Sequence, residues 1–418
     1  MSVDVVVVGL GYVGLPLAHA AATAGMSVVG YDTNPAVVAA INAGHSHIHD
    51  VPDDALDAML SAGFRATTDE RCLSMADAVI ACVPTPLSVE GGPDLRAVID
   101  AADKISRHLH KGALVVLEST THPGTTDEIV RPILERHCLR AGVDFALAFS
   151  PERINPGNPT FKLTDIPKVV GGHTPSCTAR ASSFYQRIFK TVVPAKGTRE
   201  AEMSKLLENT YRQVNIALVN ELTVLCHELG IDIWDVIACA ATKPFGFQPF
   251  RPSAGVGGHC IPIDPRYLSY KAHSVGCQLR LVDIAHEINS GMPAYLVHRA
   301  EEMVTAAGLT MRSLPILLLG VTYKPNTADQ RETPAAPITR QLRQLGAVVS
   351  FYDPYVSHWQ VDGIPVAGAT DLSQALQHND VAILLQDHEA FDFSLIAAQA
   401  HHLLDTCGRI SGPHVATL

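Results

Sequence analysis

The sequence predicts an α/β protein: two Rossmann-like, doubly wound domains joined by a long central helix and a helical region suited to dimerisation. Three observations predict it. A β-branched run, Val3–Val8, leads through a glycine turn into a small-residue helix pattern. Strand-like and helix-like stretches alternate up to about residue 172 and again beyond 315. Between them a helical pattern runs unbroken from Ala201 to Gly230. At 418 residues, against ~100–200 for an ordinary domain, the chain divides into two or three parts. The expected boundaries are 1–197, 198–308 and 309–418.

Composition narrows the function classes. Apolar residues make up 47% and charged ones 17%, enough to fill large cores and too little charge for disorder. A net charge of −11 disfavours nucleic-acid and anionic-membrane surfaces, while a local basic pocket for a phosphorylated ligand stays compatible with it. The start, "MSVDVVVVGLGYVG", lacks a secretory signal pattern, and no apolar run reaches the ~18 residues of a membrane span. Nine scattered cysteines without a C-x-x-C pair fit reduced thiols, and the expected location is the cytoplasm.

Taken in order, Val3–Val8 reads as a strand, Gly9-Leu10-Gly11-Tyr12-Val13-Gly14 as a turn and "LPLAHAAATAG" as a helix. "SVVGYD" follows as a second strand ending in Asp32. A lone G-x-G-x-x-G is weak evidence; with a strand before it, a helix after it and an acid at this distance it predicts a dinucleotide site. Gly9 permits the turn, Gly11 admits the pyrophosphate and Gly14 lets helix and strand pack closely. Asp32 suits both ribose hydroxyls of NAD and repels the extra phosphate of NADP, so NAD is the expected cofactor.

Further strands are predicted at 77–84, 113–120, 144–150 and 168–172, forming a parallel sheet. The loops "VPTP" (83–86), "STTHPG" (119–124) and "SPERINPG" (150–157) leave their carboxyl ends, where open α/β sheets bind ligands. After the long helix, residues 281–308 read as helical, and "PILLLG" (315–320), "AVVSFYDP" and "DVAILLQD" (380–387) build a second α/β domain. That domain lacks the glycine spacing of the first and suits a nucleotide better than a second NAD.

The chemistry-bearing residues are few. "GVGGHCIPIDP" (255–265) sets Cys260 between glycines and a proline-flanked Asp264, a shaped loop that could aim a nucleophile. Most lone cysteines merely fill an apolar hole, and Asp264 could equally cap the helix "PRYLSYKA". Lys205 and Asn209, four apart on the long helix, share a face and could stabilise an oxyanion, although a solvated face is the ordinary use of such a pair. Glu152 and Thr120 lie at strand ends, where a carboxylate and a hydroxyl could handle a water; pairing with Arg153 or a loop amide is the simpler role for Glu152. His45, His47 and His49 alternate without a completing ligand, so no metal is expected.

With the fingerprint, "SPERINPGNP", "AEMSKLLENT", "TKPFGFQPFRPSAGVGGHCIPIDP" and "GVTYKPNTADQRET" in this order, the sequence resembles the UDP-glucose/GDP-mannose dehydrogenase family over nearly its whole length. The Gly-Gly-His-Cys form and "PERINPG" are most similar to members acting on UDP-N-acetylhexosamines. His259 stands where UDP-glucose members usually carry serine, their second glutamate after Glu152 is missing, and Val37 replaces a frequent arginine.

The resemblance implies a two-step, four-electron oxidation of a sugar C6 alcohol by two NAD, with the aldehyde captured on Cys260 as a thiohemiacetal and then a thioester. It implies an oxyanion held by Lys205 and Asn209, a proton relay at Asp264, and a hydrolytic water handled by Glu152 and Thr120. Cofactor contacts are expected at Gly9, Gly11, Tyr12, Val13, Gly14, Asp32, Pro84, Thr85, Thr120 and Arg331. Substrate contacts are expected at Glu152, Arg153, Lys205, Asn209, Phe250, Arg251, Gly257 and Lys324. The implied partners are a UDP-sugar, UDP-N-acetylglucosamine or another UDP-N-acetylhexosamine, and a second copy of the chain, with the long helix as the core of a homodimer or larger homo-oligomer. UDP-glucose or dTDP-glucose is the alternative substrate. A single-step β-hydroxyacid dehydrogenase shares the first domain but needs neither the cysteine loop nor the last domain, and a non-catalytic nucleotide-sugar-binding regulator is the alternative of another class.

Overall fold

The computed structural model of the chain describes residues 3–48, 50–88, 92–154, 161–258 and 260–418. It divides into two compact units, Met1–Glu208 with Arg266–Cys277, and Asn209–Pro265 with Gln278–Leu418.

The first unit contains β1 (Val3–Val8), α1 (Gly14–Thr23), β2 (Val28–Tyr31), α2 (Pro35–Asn42), α3 (Asp53–Ser61), β3 (Arg65–Thr67), β4 (Ala76–Ala81), α4 (Arg96–His108), β5 (Leu114–Leu117), α5 (Arg131–Leu134), β6 (Ala146–Phe149), β7 (Lys168–Gly172), α6 (Pro175–Tyr185) and β8 (Val192–Pro194). Its sheet runs β3-β2-β1-β4-β5-β6-β7-β8. Alternation along the strands fills both faces: Val5, Val7, Ala78, Ile80, Leu114 and Val116 join one core, and Val6, Val8, Val79, Ala81, Val115 and Leu117 the other. Strands buried on both sides explain why the sequence shows unbroken apolar runs here.

One expectation needs correcting. The sheet is parallel only through β6; β7 runs antiparallel to it, with Ala148 opposite Gly172 and Phe149 opposite Gly171. A parallel return needs a crossover, usually a helix. Among the described residues the β6–β7 connection carries only a short 3-10 turn, Leu163–Asp165, so the chain folds back beside the strand it left. The reversal brings Lys168, the first residue of β7, to the carboxyl ends of β5 and β6.

The helix α7 (Thr198–Glu228) spans the boundary between the units. Gly230, at φ +67°, closes it in the left-handed conformation favoured after a helix. There follow α8 (Ile233–Ala241), α9 (Asp264–Ser274), α10 (Arg280–Ala306), β9 (Pro315–Leu319), α11 (Ala335–Gln344), β10 (Val348–Tyr352), the ribbon β11 (Gln360–Val361) and β12 (Ile364–Pro365), β13 (Ala367–Gly368), α12 (Leu372–His378), β14 (Val381–Leu384), α13 (Phe393–Gln399), β15 (His402–Asp405) and β16 (Val415–Thr417). The second sheet, β13-β10-β9-β14-β15-β16, is parallel throughout, and its faces again feed two cores, around Leu318 and Ile383 and around Leu319 and Leu384. No helix among the described residues is long and apolar enough to cross a membrane.

Candidate active site

In the first unit the glycine turn has the shape a dinucleotide needs. Gly9 sits at φ +89°, and a Cβ there would lie 2.6 Å from the Cys82 carbonyl oxygen. At Gly14 a Cβ would lie 1.8 Å from the Gly9 carbonyl, whereas one at Gly11 would meet nothing within 4 Å. The first and third glycines are thus demanded by packing, and the second faces open space that a pyrophosphate can fill. Tyr12, largely exposed, and Val13 lead into α1, which begins without a side-chain cap and so offers an anion its N-terminal dipole. Asp32 accepts from the Leu10 amide at 2.9 Å with one oxygen and from the Asn34 amide at 2.8 Å with the other. These bonds fix the carboxylate at the end of β2, with its remaining lone pairs suited to ribose hydroxyls.

The next two loops are stitched together. The Thr85 hydroxyl donates to the Thr120 carbonyl at 2.8 Å and the Ser119 hydroxyl to the Val83 carbonyl at 2.7 Å, which fixes Pro84 between them. The Tyr267 hydroxyl donates to the carbonyls of Thr85 and Pro86. Behind this, Glu202 of α7 is fully buried and accepts from the Gly124 amide, the Thr126 amide and the Thr126 hydroxyl at 2.6, 2.9 and 2.7 Å. Burial outweighs these donors and pushes its carboxyl up to about 7.

Glu152 is also buried. Its Oε1 accepts from the amides of Arg153 and Ile154 at 2.7 and 2.6 Å, the loop-amide role, while the Arg153 guanidinium turns to Glu208 and the Pro167 carbonyl, both at 2.7 Å. Its Oε2 lies 3.5 Å from the Lys168 ammonium, which is 2.9 Å from Glu118. Burial opposes that ammonium's charge, but Glu118 and Glu152 outweigh it and hold its pKa above the ordinary lysine value. The Tyr185 hydroxyl donates to the other oxygen of Glu118, and burial raises its pKa well above the usual phenol range, so it stays a donor. Lys205 is more than nine-tenths buried, away from the solvated face that is the ordinary use of such a residue, and among the described residues it has no hydrogen-bond or ion-pair partner.

In the second unit the cysteine loop is clamped from three sides. The Ser253 amide donates to Asn220 at 3.0 Å, and Asn220 donates in turn to Asn289 at 2.9 Å. The Gly258 amide donates to the Arg331 carbonyl at 3.0 Å. Gly257 has no room for a side chain: a Cβ there would lie 2.6 Å from the Glu332 carbonyl and 2.7 Å from the Tyr323 Cβ. Cys260 is exposed, and its carbonyl accepts from the Asp264 amide at 2.8 Å, which sets the residue at the N-terminal end of α9, where partial positive charge gathers. Asp264 does begin that helix, yet its carboxylate turns to Asn209, which donates to it at 2.5 Å with both groups buried.

The remaining expected residues fall as follows. The Lys324 ammonium lies 5.6 Å from the centre of the Tyr323 ring. Burial, then the Asp329 carboxylate, pushes the Tyr323 phenol up to about 12. The Arg331 guanidinium grips Asp329 with both Nε and Nη2. Phe250 packs edge-on against Tyr211 at 5.8 Å between ring centres, and Arg251 is exposed. His45 lies 3.7 Å from Asp53 on the surface. No group of three or more His, Cys, Asp or Glu able to hold a metal occurs among the described residues. His49, His259 and residues 155–160 lie outside them.

Sequence reasoning missed Glu118, Lys168, Tyr185 and Glu202. For Glu118, the signal was its place beside Thr120 in "EST" at a strand end; for Lys168, it was a charge opening an apolar strand.

Two α/β units, one with a dinucleotide turn and the other with a clamped thiol loop, define an NAD-dependent dehydrogenase. Models of the UDP-glucose/GDP-mannose dehydrogenase family match the chain in three segments: the NAD binding domain at residues 3–189, the central domain at 199–291 and the UDP binding domain at 317–410. The chain is 38% identical over 355 residues to the UDP-N-acetyl-D-glucosamine 6-dehydrogenase of Pseudomonas aeruginosa, covering 84% of this chain and 83% of that one. It is 36% identical over 390 residues to the UDP-N-acetyl-D-mannosamine dehydrogenase of Pyrococcus horikoshii, covering 93% and 90%. The solved structure of the UDP-D-ManNAc dehydrogenase from Pyrococcus horikoshii superposes with a TM-score of 0.90 at 33% identity over 99% of this chain and 98% of that one. The chain belongs to the UDP-glucose/GDP-mannose dehydrogenase family, whose members are NAD-dependent oxidoreductases of nucleotide sugars.

Proposed function

We propose that this enzyme oxidises the C6 alcohol of a UDP-N-acetylhexosamine to the carboxylate, with UDP-N-acetylglucosamine as the first candidate. Relatives named for the glucosamine and the mannosamine sugar lie at similar identity, so the group is better supported than the epimer. The observation that carries the reading is the buried bond from Asn209 to Asp264, the residue four positions beyond the exposed Cys260.

NAD supplies the hydride acceptor in each oxidation, and the rest is asked of the chain. After the alcohol has lost hydride and proton, the Cys260 sulfur adds to the aldehyde carbon and the former carbonyl oxygen takes a proton, giving a thiohemiacetal. Loss of the second hydride and of that proton leaves a thioester. Water then adds to its carbon, the carbon–sulfur bond breaks, and the thiol is regenerated beside a carboxylate. The balance is one alcohol, one water and two NAD giving one carboxylate, two NADH and three protons. Lys205 and Asn209 would steady the oxyanion, Asp264 would pass protons through water, and Glu152 with Thr120 would hold the hydrolytic water. Lys324, Phe250, Arg251, Gly257 and Arg153 would line the sugar nucleotide, and Arg331 would reach a phosphate. The division into 1–197, 198–308 and 309–418 then separates cofactor, connector with thiol loop, and nucleotide.

Leu218, Leu222, Leu225 and Leu229 are exposed at intervals of four, three and four, an apolar seam along α7 and its end that suits a second copy of the chain. A homodimer or higher homo-oligomer in the cytoplasm, among reduced thiols, completes the proposal.

The test is incubation of purified protein with NAD and, separately, UDP-N-acetylglucosamine, UDP-N-acetylgalactosamine, UDP-N-acetylmannosamine, UDP-glucose and dTDP-glucose, following NADH and product mass together. Two NADH per acid with one preferred N-acetyl sugar is expected. Preference for a glucose nucleotide would overturn the substrate, one NADH per turnover the mechanism, and no turnover on any would return the regulator reading.

A further inference from the structure

The first unit buries more charge beside Glu152 than its fold requires. The Lys168 ammonium lies 2.9 Å from Glu118 and 3.5 Å from Glu152, and all three side chains are more than nine-tenths buried. It also reaches the Pro151 carbonyl at 3.5 Å. Tyr185 donates to the far oxygen of Glu118, so that carboxylate is held at both ends. Among the described residues the remaining titratable group facing the cluster is the Cys82 thiol, which burial keeps protonated. One ammonium thus serves two carboxylates.

Glu118 alone would satisfy a buried lysine. Glu152 is the exception: its Oε1 is fixed by two amides, but its buried Oε2 has no hydrogen-bond partner among the described residues and only the ammonium nearby. A bare, buried carboxylate oxygen is expensive unless something else comes to it. A water held there for reaction is such a visitor.

We propose that Lys168 is a positioning residue for Glu152: anchored by Glu118 and Tyr185, it holds its ammonium beside the bare oxygen, aims that oxygen, and so shapes the pH dependence of acyl–Cys260 thioester hydrolysis. The inference rests on Glu152 being the group that activates the hydrolytic water. In that step a water proton passes to Glu152 Oε2, the water oxygen bonds to the thioester carbon, the carbon–sulfur bond breaks, and the Cys260 sulfur leaves with the electron pair.

Two variants change the field at Glu152 in opposite directions. E118Q leaves Glu152 as the sole carboxylate for the ammonium. K168M/E118Q removes the ammonium together with its first partner, so that no orphaned Glu118 remains. Single-turnover quench experiments with NAD and the preferred sugar, read by intact-protein mass for the acyl-enzyme, give the hydrolysis rate against pH. The acid limb is expected to move to lower pH in E118Q and up by about 1 unit or more in the double variant, with acyl-enzyme accumulating below neutrality. K168R, which keeps the charge, should restore a profile close to the parent's. A purely structural cluster would lower thermal stability in these variants and leave the limb where it was; that result overturns the proposal. If K168M/E118Q does not fold, E118Q and K168R still decide it. E152Q separates the two layers: release of acid at the parent rate there refutes the role of Glu152 itself, whereas acyl-enzyme accumulation in E152Q with unmoved limbs elsewhere refutes Lys168 alone.

Discussion

Asn209 donates its side-chain amide to the carboxylate of Asp264 across 55 residues of sequence, and both are buried. One residue comes from the helix that carries Lys205, the other opens the helix that follows the Cys260 loop. The bond uses part of the acceptor capacity of Asp264 and orients the rest. Asn209→Ala is therefore expected to lower kcat by about 10²–10³-fold, the usual loss of one oxyanion donor, with a much smaller change in KM for the sugar. Asp264→Asn should fall similarly, and the double variant should be little worse than either alone, because the two act as a unit. Steady-state kinetics of the three variants check this.

Cys260→Ala removes the sulfur while the clamps at Ser253 and Gly258 remain. Acid formation should vanish while the UDP-sugar and NAD still bind, and any turnover should give one NADH and an aldehyde. Calorimetric binding together with product mass separates this from misfolding.

The three fingerprint glycines should respond differently to one methyl group. Gly14→Ala drives a Cβ to 1.8 Å from the Gly9 carbonyl and should destabilise the chain by about 2 kcal/mol or more. Gly11→Ala meets nothing in the protein, so the melting temperature should hold. NAD affinity should nevertheless fall by about tenfold or more, a loss of about 1.4 kcal/mol. Melting curves and NAD titration on both variants distinguish scaffold from cradle.

Glu202 gives a stability profile with a defined sign. Its carboxyl rises from 4.5 to about 7 on folding, chiefly through burial. Between those values the folded chain holds a proton that the unfolded chain has released. The contribution is complete below about 4.5, shrinks as pH rises, and is gone above about 7. It amounts to about 1.4 kcal/mol per pH unit at most within that window. Glu202→Gln cannot ionise, so its denaturant midpoint should be flatter across the same range than that of the parent.

Much of this was legible in the sequence because the signals were local. The dinucleotide turn needs three glycines, a strand and an acid within a short stretch, and the strands buried on both faces announce themselves as apolar runs. Asp264 was legible through its distance from Cys260. The Glu118–Lys168–Glu152 cluster was not, since its members are scattered over three segments and a lone lysine usually denotes solvent. What unites them is the reversal of β7, with Phe149 opposite Gly171, and a pattern of apolar residues carries no record of strand direction. The burial of Lys205 was hidden for a related reason: helical spacing gives the face, but only packing shows whether that face is wet.

The strip of glycine before Cys260 leans on Tyr323 so closely that a Cβ on Gly258 would lie 2.7 Å from the ring, at a backbone φ of +84°. Gly257 is blocked as well, by Glu332 and Tyr323. Drift at either position must be matched by drift in the segment from Tyr323 to Pro334, so single mutations there are dead ends. The thiol loop and the segment from Tyr323 to Pro334 can therefore change only as one unit.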